Sequence, residues 1–443
     1  MLELSNYRRY LLLITHVVFG VLFLVSGVSK IVSSIIILYA IVDIINSKNE
    51  NNRSLMWVSY FMSAEVFFRM SGGMISWELV KYITFLLLFI GVVVDKDKLN
   101  MHLGFLIYIL LLFIGVSFTD VPPEESTRKQ IIFNLLGPVL LGWCAIVFYK
   151  KKISLDTMYL ALFYAILPII SMVIYLYFRT PTFSEIRFSG SASFAASGGF
   201  GPNQVATALG LGFFLIGALI IAKKKITGFV ILDILIFLYI VFRCLLTFSR
   251  GGMFTGILAL IIFAVFFALS QKDFAKIISK YVLLSLLFLV AIWVYTSEVT
   301  GGMLDNRYKG KNARGVQKED ISSGRIALMS HQFENFLEHP FLGIGVGNGK
   351  SDRLKSGNHI TGAAHNEIGR MLEEHGLVGF LSLILLISIP LTGMRNKSNM
   401  SKAFTLSFYF LWFLTINHSA MRIALPSLVY GMSLINITTD EEN

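Results

Sequence analysis

Apolar runs of bilayer length, repeated almost end to end, constrain this chain more than any other feature. They lie near 10–29, 31–46, 55–72, 78–95, 101–118, 130–148, 157–178, 204–222, 226–243, 250–269, 278–297, 377–394, 402–417 and 420–437. Each approaches the ~20 residues that a hydrocarbon core requires of a helix. The chain is 55% hydrophobic and carries 38 Phe, more apolar surface than a water-soluble core could hide. The expectation is an all-α, polytopic membrane protein of about 12–14 transmembrane helices, because only helices and closed barrels satisfy their backbone within lipid. One membrane domain should span 1–443, since little polar sequence separates the runs. Met1 to Tyr10 is short and no small-residue cleavage site follows, so the first run should remain as a span. Cys144 and Cys244 fall in or beside apolar runs and read as packing residues, with no disulfide framework.

The net charge of +11 would suit a nucleic-acid partner, but its placement argues against one. The cations sit in short turns: Arg8 and Arg9, Lys48 and Arg53, Lys96 and Lys98, Lys150 to Lys152, Lys223 to Lys225, Lys272 and Lys276, and Arg395 with Lys397. That pattern marks cytoplasmic loops. Both termini are then expected in the cytoplasm. The segments Asp120–Glu125, 179–203 and 298–376 fall on the outer side.

The loop 298–376 is the only long polar segment, and it ends in His365-Asn366-Glu367-Ile368-Gly369. Continued as one helix, His365, Gly369, Leu372, Gly376 and Gly379 form a single stripe, with an imidazole above a face cleared of bulk. His365 is therefore the candidate proton acceptor. Earlier in the loop, Ser322-Ser323-Gly324-Arg325 should open a helix that Pro340 ends. Ile326, Met329, Phe333, Phe336 and Leu337 share one face of it, as expected of a helix lying on the bilayer or capping the bundle. Arg325, in its first turn, would either combine charge with free amides to favour an anion or be ordinary loop charge. The stretch Gly343-Ile344-Gly345-Val346-Gly347-Asn348-Gly349 fails as a phosphate loop, having Ile344 where the first glycine must be, and reads as a tight turn. Five histidines, His331, His339, His359, His365 and His375, raise the question of zinc, but they lack metal-ligand spacing.

Three features lie outside this loop. Glu65 and Arg69 stand at ion-pair spacing inside a span, as a structural pair or as part of a pathway. The segment 179–203 is rich in small residues around Arg187 and ends in Gly201-Pro202-Asn203, either an anion-binding loop or a flexible connector. Ser249-Arg250-Gly251-Gly252 closes a span, where the arginine either snorkels to the interface or binds an anion; the glycines, opening the backbone beside the guanidinium, favour binding.

Taken in order, four features resemble the O-antigen polymerase and O-antigen ligase superfamily of bacterial membrane glycosyltransferases. They are Gly-Pro-Asn-Gln at 201–204, Ser-Arg-Gly-Gly at 249–252, Ser-Gly-Arg at 323–325 with Glu338-His339-Pro340-Phe341-Leu342-Gly343 following, and His365-Asn366 with Gly376 and Gly379. Arg187, eleven residues before Gly198, looks like an arginine–glycine pattern of polymerases. The resemblance implies an inverting, metal-independent transfer from an undecaprenyl-diphosphate-linked glycan, with no cofactor. In that scheme His365 is the catalytic base, while Arg250, Arg325, Arg187, Asn203 and Asn366 hold the diphosphate and substrate. The acceptor is another lipid-linked repeat unit for a polymerase, or lipid A-core for a ligase. Membrane lipids and a chain-length regulator complete the partners it suggests, and the modest loop with Arg187 favours the polymerase. A lipid-linked sugar transporter or flippase would instead show internal symmetry and charge at mid-membrane along several spans.

Overall fold

The computed structural model describes residues 5–95, 99–122, 126–271, 288–322, 324–355 and 365–438. Lys96, Lys98, Pro123 to Glu125, Lys272, Lys276, Ser323, His359 and the first part of the run 278–297 lie outside them. The apolar runs become helices in sequence order: α1 (Asn6–Leu22), α2 (Val28–Asn46), α3 (Arg53–Met70), α4 (Leu79–Val94), α5 (Leu103–Ile114), α6 (Thr127–Phe148), α7 (Leu155–Arg179), α8 (Pro202–Ile221), α9 (Val230–Leu246) and α10 (Arg250–Leu269). The described part of α11 is Phe288–Val299. Short helices α12 (Met303–Tyr308), α13 (Arg325–Glu338) and α14 (Gly349–Lys355) follow, then α15 (Glu367–Ser388), α16 (Asn399–His418) and α17 (Leu425–Ser433). Among the described residues, six helices are long and apolar enough to cross a membrane, with shorter apolar helices between them. The one small sheet there pairs β1 (Lys152–Ser154) in parallel with β2 (Asn436–Thr438). The protein is an all-α polytopic membrane protein.

Burial sorts the helices by position. In α7 and α8, 83% of the apolar window is buried, against 22% in α2, so α7 and α8 are central and α2 is peripheral. Ile35, Leu38 and Val42 of α2, with Phe89 and Val93 of α4, expose large side chains that lipid would cover. Helix α3 packs on α7, and α10 packs on both α8 and α16. The α8–α10 contact is made by glycine: a Cβ on Gly252 would lie 2.2 Å from the Ala206 carbonyl oxygen, and one on Gly256 2.5 Å from that of Gly210. Without hydrophobic drive between helices in lipid, such close backbone approach is a main source of attraction. Gly252→Ala is expected to cost roughly 1–3 kcal/mol through overpacking, read as a lower Tm in detergent; an unchanged Tm would mean the helices separate freely.

The last apolar run, 420–437, was expected to span. It forms instead a helix of nine residues, α17, buried throughout. Ala420 has φ 52°, and a turn over 419–424 takes up the start of the run, so the helix is too short to cross lipid alone.

The connections separate into two ends. At one, Lys151 pairs with Asp95 at 2.9 Å, Lys224 with Asp156 at 2.7 Å, and β1 with β2. At the other gather the last turn of α3, the first turns of α6, α8, α10 and α15, the 419–424 turn and the polar segment 300–355. This second end holds the candidate site.

Candidate functional site

The site is assembled by contacts among the segments that the sequence singled out. Ser249 Oγ donates to Asn203 Oδ1 at 2.7 Å, joining the start of α8 to the start of α10. Arg250 then donates to the Ile321 carbonyl at 2.9 Å, which brings the segment before α13 alongside. One turn into α13, Met329 Sδ lies 3.4 Å from Asn366 Nδ2, so Arg325 and His365 are drawn to the same region. Asn366 caps α15, its Oδ1 accepting from the Ile368 amide at 3.0 Å.

His365 therefore precedes α15, and Gly376 interrupts it with φ 60° and ψ −138°. The single helical stripe from His365 to Gly379 is not formed. A Cβ on Gly376 would lie 2.6 Å from the Pro340 carbonyl oxygen, and the Leu377 amide donates to that oxygen at 2.7 Å. The Ile344 amide donates to the Glu373 carbonyl at 2.9 Å, so the glycine turn after α13 docks on the kink. Gly343, Gly345 and Gly347 all have positive φ, as a tight turn requires. The kink carries the fit that the stripe was expected to provide.

The glycines after Arg250 also do something other than expected. Gly251 makes room for the His418 ring, 2.4 Å from where its Cβ would stand, and Gly252 meets Ala206. At both positions a side chain would collide with its neighbours, so close packing is one reason for glycine here.

Three arginines converge without a counter-charge. Arg250, Arg307 and Arg325 form no ion pair among the described residues. Desolvation lowers the proton affinity of Arg307, and Arg250 and Arg325 lower it further. Arg325 is lowered by desolvation and then by Arg250. Arg307 is fixed by donating to the Phe248 carbonyl at 3.1 Å and the Gly190 carbonyl at 3.0 Å. Lys318 shares Gly190, donating to it at 2.5 Å. Like charges held together this way make a strongly positive local field, of the kind that favours an anion.

His365 lies exposed at the edge of this cluster. Desolvation, then the charges of Arg422 and Arg325, push its pKa down to about 4, so its imidazole is neutral at pH 7. Arg422, packed over Phe133 at 4.5 Å, is itself pushed down to about 10, by desolvation first and by Arg370 second. The 419–424 turn that carries it is clamped from two sides. Glu65 accepts from the Ala424 amide at 2.6 Å, and Arg69 donates to the Arg422 carbonyl at 3.3 Å. Glu367 accepts from the Met421 amide at 3.3 Å. The Glu65–Arg69 pair, 2.5 Å apart and fully buried, thus ties this turn to α3 and, through a 3.3 Å bond from Arg69 to Gln204, to α8.

Arg187 stands apart. It is exposed and makes no hydrogen bond or ion pair among the described residues. The histidines are dispersed: His331 bonds Asp352 at 3.1 Å, His339 is exposed, and His375 is buried against Gly115. Among the described residues, no three His, Cys, Asp or Glu side chains stand close enough to hold a metal ion. Cys144 and Cys244 are free and buried, in keeping with packing roles.

Motif reading missed Arg307, Lys318, Arg422 and the buried carboxylates of α15. Arg370 pairs with Glu367 and, at 2.6 Å, with Glu374, while Glu373 accepts from Gln332 at 3.0 Å and Asn335 at 3.1 Å. The only hint was a dense alternation of charge in Glu367-Ile368-Gly369-Arg370-Met371-Leu372-Glu373-Glu374, which ordinarily marks a solvated face.

Fold and site together define a polytopic membrane protein with a cationic, histidine-bearing centre at one end of its bundle. Residues 235–384 match the family model described as O-antigen ligase, in agreement with the resemblance to the O-antigen polymerase and ligase superfamily. The matched segment contains Arg250, Arg307, Arg325 and His365; Arg187, Asn203 and Arg422 lie outside it. No curated protein matches the chain.

Proposed function

We propose that this protein is a polymerase of the O-antigen or exopolysaccharide type. It joins undecaprenyl-diphosphate-linked repeat units at the outer face of the cytoplasmic membrane, with both termini inside. One observation carries the reading: Arg250, Arg307 and Arg325, which form no ion pair among the described residues, lie close enough to lower one another's proton affinity, and Arg325 also acts on a histidine that is neutral at pH 7. Arg250 and Arg325 hold the donor diphosphate through planar, paired contacts that match phosphate geometry, and Arg307 adds charge behind them. His365 takes the proton from an acceptor sugar hydroxyl, whose oxygen attacks the anomeric carbon. The bond from that carbon to the diphosphate oxygen breaks on the opposite face, which inverts the centre, and undecaprenyl diphosphate leaves with the bonding electrons. Charge growing on that leaving group is met by fixed cations, so the barrier falls. Asn203 holds the Arg250 turn through Ser249, and Asn366 sets the helix that follows His365. Arg187 would join the donor site from its own loop.

The deciding experiment uses purified protein in proteoliposomes with the host's lipid-linked repeat unit as sole substrate. A ladder of multiples is expected. Transfer only after lipid A-core is added would replace the polymerase with the ligase, and no product from folded protein would overturn both.

A further inference from the structure

Arg422 also lines a cavity of about 700 Å³, within the ~300–1,000 Å³ usual for ligand pockets. Its walls include Trp77, Glu78, Tyr82, Gln130, Phe133 and Arg422. Trp77 and Tyr82 are half exposed, at 50% and 44%, and the Arg69 guanidinium lies 4.6 Å from the Trp77 ring centroid. Glu78 is 9% exposed. Its Oε2 meets Lys81 Nζ at 2.6 Å, while Oε1 has no hydrogen-bond partner among the described residues. A buried carboxylate oxygen left unpaired is costly unless a donor reaches it, and Glu78 is among the residues that line the cavity.

The cavity is tied to the histidine by short links. His365 is two residues from Glu367, which accepts from Met421, the neighbour of the lining residue Arg422. Arg422 is in turn held by Arg69, which covers Trp77. These links place the cavity beside the segment that carries His365. An aromatic surface beside a hydrogen-bond acceptor suits a sugar, whose C–H face lies on the ring while a hydroxyl donates to the side-chain oxygen.

We infer that the Trp77–Glu78 wall is a saccharide subsite that seats the acceptor glycan, with the donor diphosphate held by Arg250 and Arg325. The inference rests on the glycosyl-transfer reading above. Trp77 as a membrane-interface anchor is the competing role; an anchor would alter stability or insertion without changing acceptor affinity.

The test uses the full-length protein in proteoliposomes. The lipid-linked repeat unit serves as donor, and the oligosaccharide released from it by mild acid serves as soluble acceptor. Trp77→Ala and Glu78→Gln are each expected to raise the acceptor KM about tenfold or more and to leave the donor KM unchanged. Trp77→Phe is expected to recover part of the loss, and calorimetric titration of the same oligosaccharide should show the same ranking. Should Glu78→Gln fail to fold, because Lys81 and Arg69 share its carboxylate, Trp77→Ala decides alone. Wild-type transfer with acceptor KM unchanged in the folded variants would overturn the subsite and leave the enzyme reading standing. Absence of transfer by the wild type would overturn the enzyme reading, and the acceptor assignment with it.

Discussion

Replacing His365 by alanine is expected to lower glycan transfer about 10²–10⁴-fold, the usual contribution of a positioned general base. Donor binding should persist, because the arginines that hold it are fixed elsewhere: Arg250 by the Ile321 carbonyl and Arg307 by Phe248 and Gly190. Folding should persist too. His365 is exposed, lies before α15 and makes no hydrogen bond among the described residues, so its removal breaks no bond that holds the fold. The measurement is single-turnover transfer alongside donor titration; full turnover by the variant would remove His365 as the base.

The same residue sets an expected pH dependence. Its pKa is lowered from 6.5 to about 4, so the neutral, proton-accepting form persists down to about pH 4. The acid limb of kcat/KM, which reports the free enzyme, should therefore fall near 4 and not near 6.5. Arg422 and Arg325 oppose protonation, so Arg422→Gln should raise the histidine pKa and move the limb upward. The variant then loses more activity than wild type at mildly acidic pH than at alkaline pH. An unmoved limb would show that another group titrates.

The spans were legible because lipid imposes one rule on every helix, a run of apolar residues of fixed length. The start of α13 at Arg325 and its end before Pro340 were legible for local reasons, since N-terminal signals and proline act within a few residues. Its outward apolar face was legible as well: Ile326, Met329, Phe333 and Leu337 are all exposed, while Gln332 and Asn335 face α15. What periodicity could not show is where a helix stops obeying it. Gly376 leaves helical geometry because the Pro340–Gly343 turn presses against it, a contact between segments more than thirty residues apart. For the same reason Gly251 and Gly252 were assigned to an anion although they serve His418 and Ala206. Arg307 and Arg422 lack any motif; each matters through which distant carbonyls or turns hold it, and that information is tertiary.

Removing Arg250 or Arg325 tests the other half of the site. Each alanine variant is expected to lower kcat about 10²–10³-fold, the scale measured when one fixed donor to a developing anion is lost. Each should also weaken donor binding more than acceptor binding. Lysine should restore little at Arg250, because an ammonium cannot hold two phosphate oxygens in the guanidinium plane while its partner, the Ile321 carbonyl, also needs a donor. The double variant should lose less than the product of the two single losses. Arg250 already disfavours the charge of Arg325, as the lowered proton affinity of Arg325 shows, so deleting Arg250 relieves Arg325. That relief predicts a gain in stability without substrate: the Arg250→Ala protein should melt no lower than wild type while binding donor worse. A variant that melts lower and binds donor normally would mean that these arginines brace the fold, and that the anion site lies elsewhere.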